Sequence, residues 1–224
     1  MLLENNMRFT TSKQSLISEF TGTFSLVFFG CGSIILSEIS NFKSEFVPFI
    51  FGCTIAIFIY IFGKYSGAHF NPAVTIGFFV NKEISLIDGF LYITVQILGA
   101  VGASYTHSLI FENSHSFGTT LLKVELLTGL FAEVFFTGLL MLTILLVTRN
   151  KNRIYGVAIG SSVTLAALFI GDLTGASLNP ARSVGPMLMS GNFENLLFYL
   201  VIPPIGSIIS AYLFRFFANK QLLT

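Results

Sequence analysis

The stretches 66–77, SGAHFNPAVTIG, and 174–186, TGASLNPARSVGP, decide how the rest of the chain is read. Aligned without gaps, they place Gly67 on Gly175, Ala68 on Ala176, Asn71 on Asn179, Pro72 on Pro180 and Ala73 on Ala181. The offset is 108 residues in a chain of 224, close to half its length. Proline, with its ring-fixed φ, suits the first turn of a helix, and an Asn just before it suits the cap. Each stretch therefore reads as a loop entering a short helix. One copy alone would be an ordinary Asn-Pro helix start. Two copies at half-chain spacing imply an internal repeat.

Long apolar runs surround both copies. Hydrophobic residues make up 53% of the chain and charged ones 10%, against about 25% charged in soluble domains. That excludes a water-soluble globule and predicts an all-α membrane protein. A closed barrel would need alternating strands of about ten residues, whereas the apolar runs here are continuous. A net charge of +1 gives no footing for nucleic acid. Cys31 and Cys53 both lie inside apolar runs and read as small buried packers. The opening 15 residues are polar with scattered charge and do not resemble a cleavable signal peptide.

Six segments can cross about 30 Å of hydrocarbon as helix: 16–36, 46–63, 86–110, 124–147, 155–170 and 195–217. The runs following the motifs, 73–80 and 181–189, are apolar but only half a membrane thick, so they must enter and return. If the spans alternate, Arg8, Lys13, Lys64, Lys82, Arg149, Lys151, Arg153, Arg215 and Lys220 share one side, against Lys43 and Lys123 on the other. Basic residues collect in the cytoplasm, which predicts two cytoplasmic termini. Three spans per half force the halves, approximately 1–113 and 120–224 of a single domain, into opposite orientations. The repeat extends beyond the motifs: Ser18-Glu19-Phe20 echoes Ala132-Glu133-Val134, Gly52 matches Gly160, and Gly99 nearly matches Gly206. An inverted repeat with two broken helices meeting at mid-membrane points to a central solute path.

Here the residues carry a resemblance. Gly-Ala-His-Phe-Asn-Pro-Ala-Val and Gly-Ala-Ser-Leu-Asn-Pro-Ala-Arg resemble the two signature loops of the aquaporin, or major intrinsic protein, family. The similarity covers essentially the whole chain, with Glu19, Glu133 and Gln96-x-x-Gly99. It implies six tilted helices and two re-entrant half-helices around one pore per subunit, and a homotetramer in the plasma, or inner, membrane. No cofactor, metal or catalytic residue is expected. The partners it implies are water, small neutral solutes and the lipid bilayer.

The chemistry can be followed from the residues. Opposed half-helix N-termini place partial positive charge where Asn71 and Asn179 meet, and each Asn amide can donate to a passing oxygen. A water held by two donors must turn its own hydrogens outward, which disfavours a proton wire. Gly67, Ala68, His69, Gly175, Ala176 and Ser177 are expected to line the path with backbone carbonyls, since irregular backbone at this depth is tolerable only along a cavity. Glu19 and Glu133 are expected to accept from loop N–H groups and brace the half-helices. Arg182 stands where the first copy has Val74 and suits a cation barrier.

The resemblance assigns the narrow filter to Phe51, Ala167, Ala176 and Arg182. Water-selective members have His in place of Ala167. Glycerol facilitators have Gly there, a second aromatic at the position of Ala176 and usually Asp where this chain has Ser183. The chain fits neither pattern, and is similar to bacterial channels akin to the plant nodulin-like group. A passive channel for water and small uncharged solutes, glycerol-like or metalloid hydroxides, is therefore expected. The alternatives are a strictly water-selective channel and, from another class, a secondary transporter. Asp172 is expected in the outer mouth, bonded to the loop rather than paired with Arg182. His69 should pack its ring behind the loop, with a pH gate as the alternative reading, and His107 and His115 should be solvated in or near an outer loop.

Overall fold

The computed structural model describes residues 9–111, 114–149 and 153–219. Its helices are α1 (Lys13–Ile39), α2 (Val47–Ser66), α3 (Pro72–Val80), α4 (Leu86–Ile110), α5 (Leu126–Arg149), α6 (Tyr155–Thr174), α7 (Pro180–Ser190) and α8 (Leu196–Asn219). Six are long and apolar enough to span a membrane. The other two, α3 and α7, have 9 and 11 residues. At a rise of about 1.5 Å per residue they reach roughly half of a 30 Å core.

Local chemistry sets the ends. Ser12 and Ser15 form a reciprocal capping box, so α1 starts at Lys13 instead of residue 16. Asn71 and Asn179 cap α3 and α7, each followed by its proline at the first helical position. Gly67 and Gly175, at φ 82° and 76°, end α2 and α6 in the left-handed conformation that glycine adopts without strain. The fifth span therefore runs to Thr174, four residues beyond its expected end, and the fourth starts at Leu126 instead of residue 124.

Matched contacts recur in the two halves. A Cβ on Gly99 of α4 would fall 2.4 Å from the Phe20 carbonyl oxygen of α1, and one on Gly206 of α8 would fall 2.4 Å from that of Val134 on α5. Between the halves, α2 and α6 cross at Gly52 and Gly160, each of which would clash with the other's carbonyl oxygen if it carried a Cβ. Exposure is inverted relative to a soluble protein. Phe131, Phe169 and Leu197 are more than two-thirds exposed, while Glu19, Gln96 and Glu133 are fully buried. This is the pattern of an integral, multi-pass membrane protein.

Two expectations fail here. Cys53 is exposed on the apolar exterior, because it lies about 200° around α2 from the inward-facing Phe51. His107 is fully buried inside α4 and not solvated. Its Nε2 lies 2.9 Å from the Phe28 carbonyl oxygen, and its ring stacks on Phe28. The polar ring is tolerated there because it has a helix carbonyl to bond. His115 is exposed.

Candidate functional site

Each re-entrant loop is held from behind by one carboxylate. Glu19 accepts from the backbone N–H of His69 at 2.9 Å and of Phe70 at 2.7 Å, and from Gln96 Nε2 at 2.8 Å. Glu133 accepts from the backbone N–H of Ser177 at 2.8 Å and of Leu178 at 2.9 Å, and from the Thr174 hydroxyl at 2.7 Å. These donors face a buried carboxylate, where charge-assisted hydrogen bonds are strongest. Ala68, Phe70, Ala176 and Leu178 all take positive φ, from 42° to 53°. Both loops thus share an irregular path that their own helices cannot satisfy.

The two asparagines are locked as donors. Asn71 Oδ1 is taken by the Ala73 N–H, and Asn179 Oδ1 by those of Ala181 and Arg182. One N–H of each amide crosses to the other loop: Asn71 to the Leu178 carbonyl at 2.8 Å, and Asn179 to the Phe70 carbonyl at 2.9 Å. An amide carries two N–H groups, so each side chain keeps one. Both line a cavity of about 1260 Å³ that runs between the two ends of the bundle. Leu26, Ile55, Val74, Leu140 and Ile159 also line it, giving an apolar wall. Gly67, Ala68, His69, Gly175, Ala176 and Ser177 line it too. Among the described residues no hydrogen bond ends on these six carbonyls.

Toward one end the cavity meets Phe51, Ala167, Ala176 and Arg182. Arg182 Nη1 donates to the Gly118 carbonyl at 2.7 Å, and its guanidinium carbon lies 5.2 Å from the centre of the Phe51 ring. Ala167 and Ala176 line the same end of the cavity with small side chains. At the other end lie Lys64, Asn81, Lys82, Glu83, Tyr155 and Arg215.

The model of the family described as Major intrinsic protein matches residues 6–214. The chain belongs to the major intrinsic protein family. It is 35% identical over 208 residues to Nodulin-26 of Glycine max, with 90% of this chain and 77% of that protein covered. It is 36% identical over 218 residues to the glycerol uptake facilitator protein-like 6 of Lactiplantibacillus plantarum, covering 92% and 98%. The solved aquaglyceroporin of Plasmodium falciparum superposes with a TM-score of 0.80 at 25% identity, covering 94% of this chain and 98% of that one.

Within this major intrinsic protein chain, several expected site residues take positions that the motifs alone do not convey. Pro72, Ala73, Pro180 and Ala181 are buried and do not line the cavity; of each triplet only the asparagine does. His69 gives its N–H to Glu19, and its ring stacks on Phe78 at 4.4 Å with Nδ1 3.1 Å from Thr75 Oγ1. Asp172 lines the mouth but makes no loop hydrogen bond among the described residues, and Arg182 turns to Gly118. Sequence reading missed the segment 114–123. Its Ser116 donates to Glu38, Thr119 bonds Ser190, Thr120 donates to Ser183, and the Lys123 N–H donates to the Leu173 carbonyl. It forms a strap across the end of the cavity that holds Arg182, and its sequence carries no motif.

Proposed function

We propose that the protein is a passive channel conducting water and small uncharged solutes, glycerol-like or metalloid hydroxides, while excluding protons and ions. The observation that carries this is the pair of donor-only amides, Asn71 and Asn179, facing one cavity from two opposed half-helices. A water bridging them must accept twice and direct its hydrogens away from the midpoint, which interrupts a proton relay. The free carbonyls of residues 67–69 and 175–177 would receive those hydrogens, facing the apolar wall of Leu26, Ile55, Val74, Leu140 and Ile159. Cations meet Arg182 and the positive helix ends.

Two alanines at the filter support passage of solutes larger than water, with their carbon face on Phe51 and the alanines and their hydroxyls on the remaining N–H groups of Arg182. The glycerol facilitator and aquaglyceroporin among the relatives agree with that reading and disfavour strict water selectivity. A coupled transporter is disfavoured by Glu19 and Glu133, whose oxygens are already occupied by loop donors. The family and fold are those of passive channels, and no catalytic role is proposed for any residue. The single domain with two inverted repeats is proposed to assemble as a homotetramer in the plasma, or inner, membrane.

The mouth with Lys64, Lys82, Arg149 and Arg215 is proposed to be cytoplasmic, with both termini on that side. Arg8, Lys151 and Lys220, counted for the same argument, lie outside the described residues. The test is glycerol uptake into proteoliposomes by stopped-flow light scattering. Uptake well above that of empty liposomes supports the wide filter. Uptake equal to that of empty liposomes, alongside fast water flux, contradicts it.

A further inference from the structure

We infer that Gly30 and Cys31, adjacent on α1 and absent from the cavity wall, position the aromatic and the cationic members of the filter. The inference rests on the assignment of Phe51 and Arg182 to that filter. Gly30 lies flat against the Phe51 ring: a Cβ there would fall 2.3 to 2.6 Å from three ring carbons. The ring can therefore lie back on the α1 backbone only because residue 30 has no side chain. Phe51 itself lines the cavity, with the Arg182 guanidinium carbon 5.2 Å from its ring centre.

Cys31 sets the cationic member through the strap. Gly118 sits on it so closely that a Cβ on Gly118 would fall 2.8 Å from Cys31 Cβ and 3.1 Å from its Cα. Gly118 has φ 72°, so both its conformation and its contact favour glycine. The Gly118 carbonyl accepts from Arg182 Nη1, and the Gly118 N–H is tied through Ser116 to Glu38, also on α1. Cys31 is fully buried. Its Cβ is thus the floor that fixes how deep the strap carbonyl sits, and hence how far Arg182 is drawn from the lumen. Two successive residues of one helix hold the aromatic and the cationic members of the constriction.

The test compares Gly30→Ala, Phe51→Ala and the double variant, with glycerol and water permeabilities measured on equal amounts of reconstituted full-length protein. Gly30→Ala pushes the ring toward the lumen and is expected to lower the glycerol-to-water ratio about tenfold, the low end of what one methylene decides in a fitted site. With Phe51 already truncated, adding Gly30→Ala is expected to change nothing further, the signature of coupled neighbours. Gly118→Ala should lower the ratio likewise, and Cys31→Gly in the same chain should recover part of it.

The inference is overturned if Gly30→Ala leaves the ratio unchanged or lowers both fluxes in proportion. It is also overturned if Gly30→Ala acts equally with and without the Phe51 ring, or if Cys31→Gly recovers nothing. If Phe51→Ala alone leaves the ratio unchanged, the filter assignment itself falls, and the positioning role falls with it.

Discussion

The two re-entrant loops share a frame and differ in what stands behind it. In both, a carboxylate takes two consecutive loop N–H groups, an asparagine caps the half-helix, and a tyrosine hydroxyl bonds the carbonyl at the end of the preceding helix, Tyr92 to Ser66 and Tyr199 to Thr174. Behind the first loop, Thr75 links His69, Gln96 and the Asn71 carbonyl, and the Phe9 ring covers Gly67. Behind the second, hydroxyls run from Thr120 through Ser183 and Ser177 to the Asn179 carbonyl, and Thr120 covers Gly175. Only the second loop carries a charge in the lumen wall, Arg182 against Val74. The strap explains why. It supplies the Gly118 carbonyl to an otherwise costly buried guanidinium. The repeat is kept where the halves must meet and abandoned where one of them selects.

The strongest way to break this comparison is to remove the shared braces. Glu19→Ala and Glu133→Ala each leave two buried backbone N–H groups unpaired, at about 1–3 kcal/mol per group. Both variants are expected to lower the melting temperature of the purified protein by similar amounts. A large loss in one half alone would show that the frames are not equivalent.

A second prediction separates the supports. The Phe9 N–H donates to the Glu83 carbonyl at 2.8 Å, and Asn81 Nδ2 donates to the Glu83 carboxylate. Burial pushes Glu83 up to about 6 from its usual 4.5, against the smaller opposing effect of Asn81. A raised folded-state value means that the folded protein binds this proton more readily than the unfolded chain. Its contribution is therefore fully present below about pH 4.5 and lost as pH rises through about 6, by no more than roughly 2 kcal/mol. Glu83→Gln is expected to flatten the melting temperature over that window. A slope unchanged by the substitution would remove Glu83 as its source.

The shared frame was legible in the sequence, because Asn-Pro caps, left-handed glycines and paired acids act locally and recur at one offset. What stands behind it was not. Nothing in 114–123 announces a strap, since the bonds that place it run to Glu38, Ser183, Ser190, Asn195 and the Leu173 carbonyl, all distant in sequence. Gly30 and Cys31 lie in an apolar run and His107 was read as solvated near an outer loop; only the approach of Phe51, Gly118 and Phe28 gives them roles. Asp172 was expected to bond the loop, whose N–H groups are instead taken by Glu133 from the other side.

A smaller effect sharpens the selective half. Ala167→His adds bulk and a donor at the filter. Glycerol flux is expected to fall several-fold more than water flux, since one extra group in a fitted site is worth about 1–3 kcal/mol only to the solute that touches it. Equal losses of both fluxes would place the narrowest point elsewhere.

The central claim is that Asn71 and Asn179, locked as donors, pass water and stop protons. Its most direct measurement uses one proteoliposome preparation loaded with a pH-sensitive dye. Water efflux is followed after a hyperosmotic shock, and internal pH after a proton gradient is imposed. Fast water flux with a low activation energy is expected, with a dye signal no different from that of empty liposomes. A protein-dependent proton flux that rises with the water flux would contradict it.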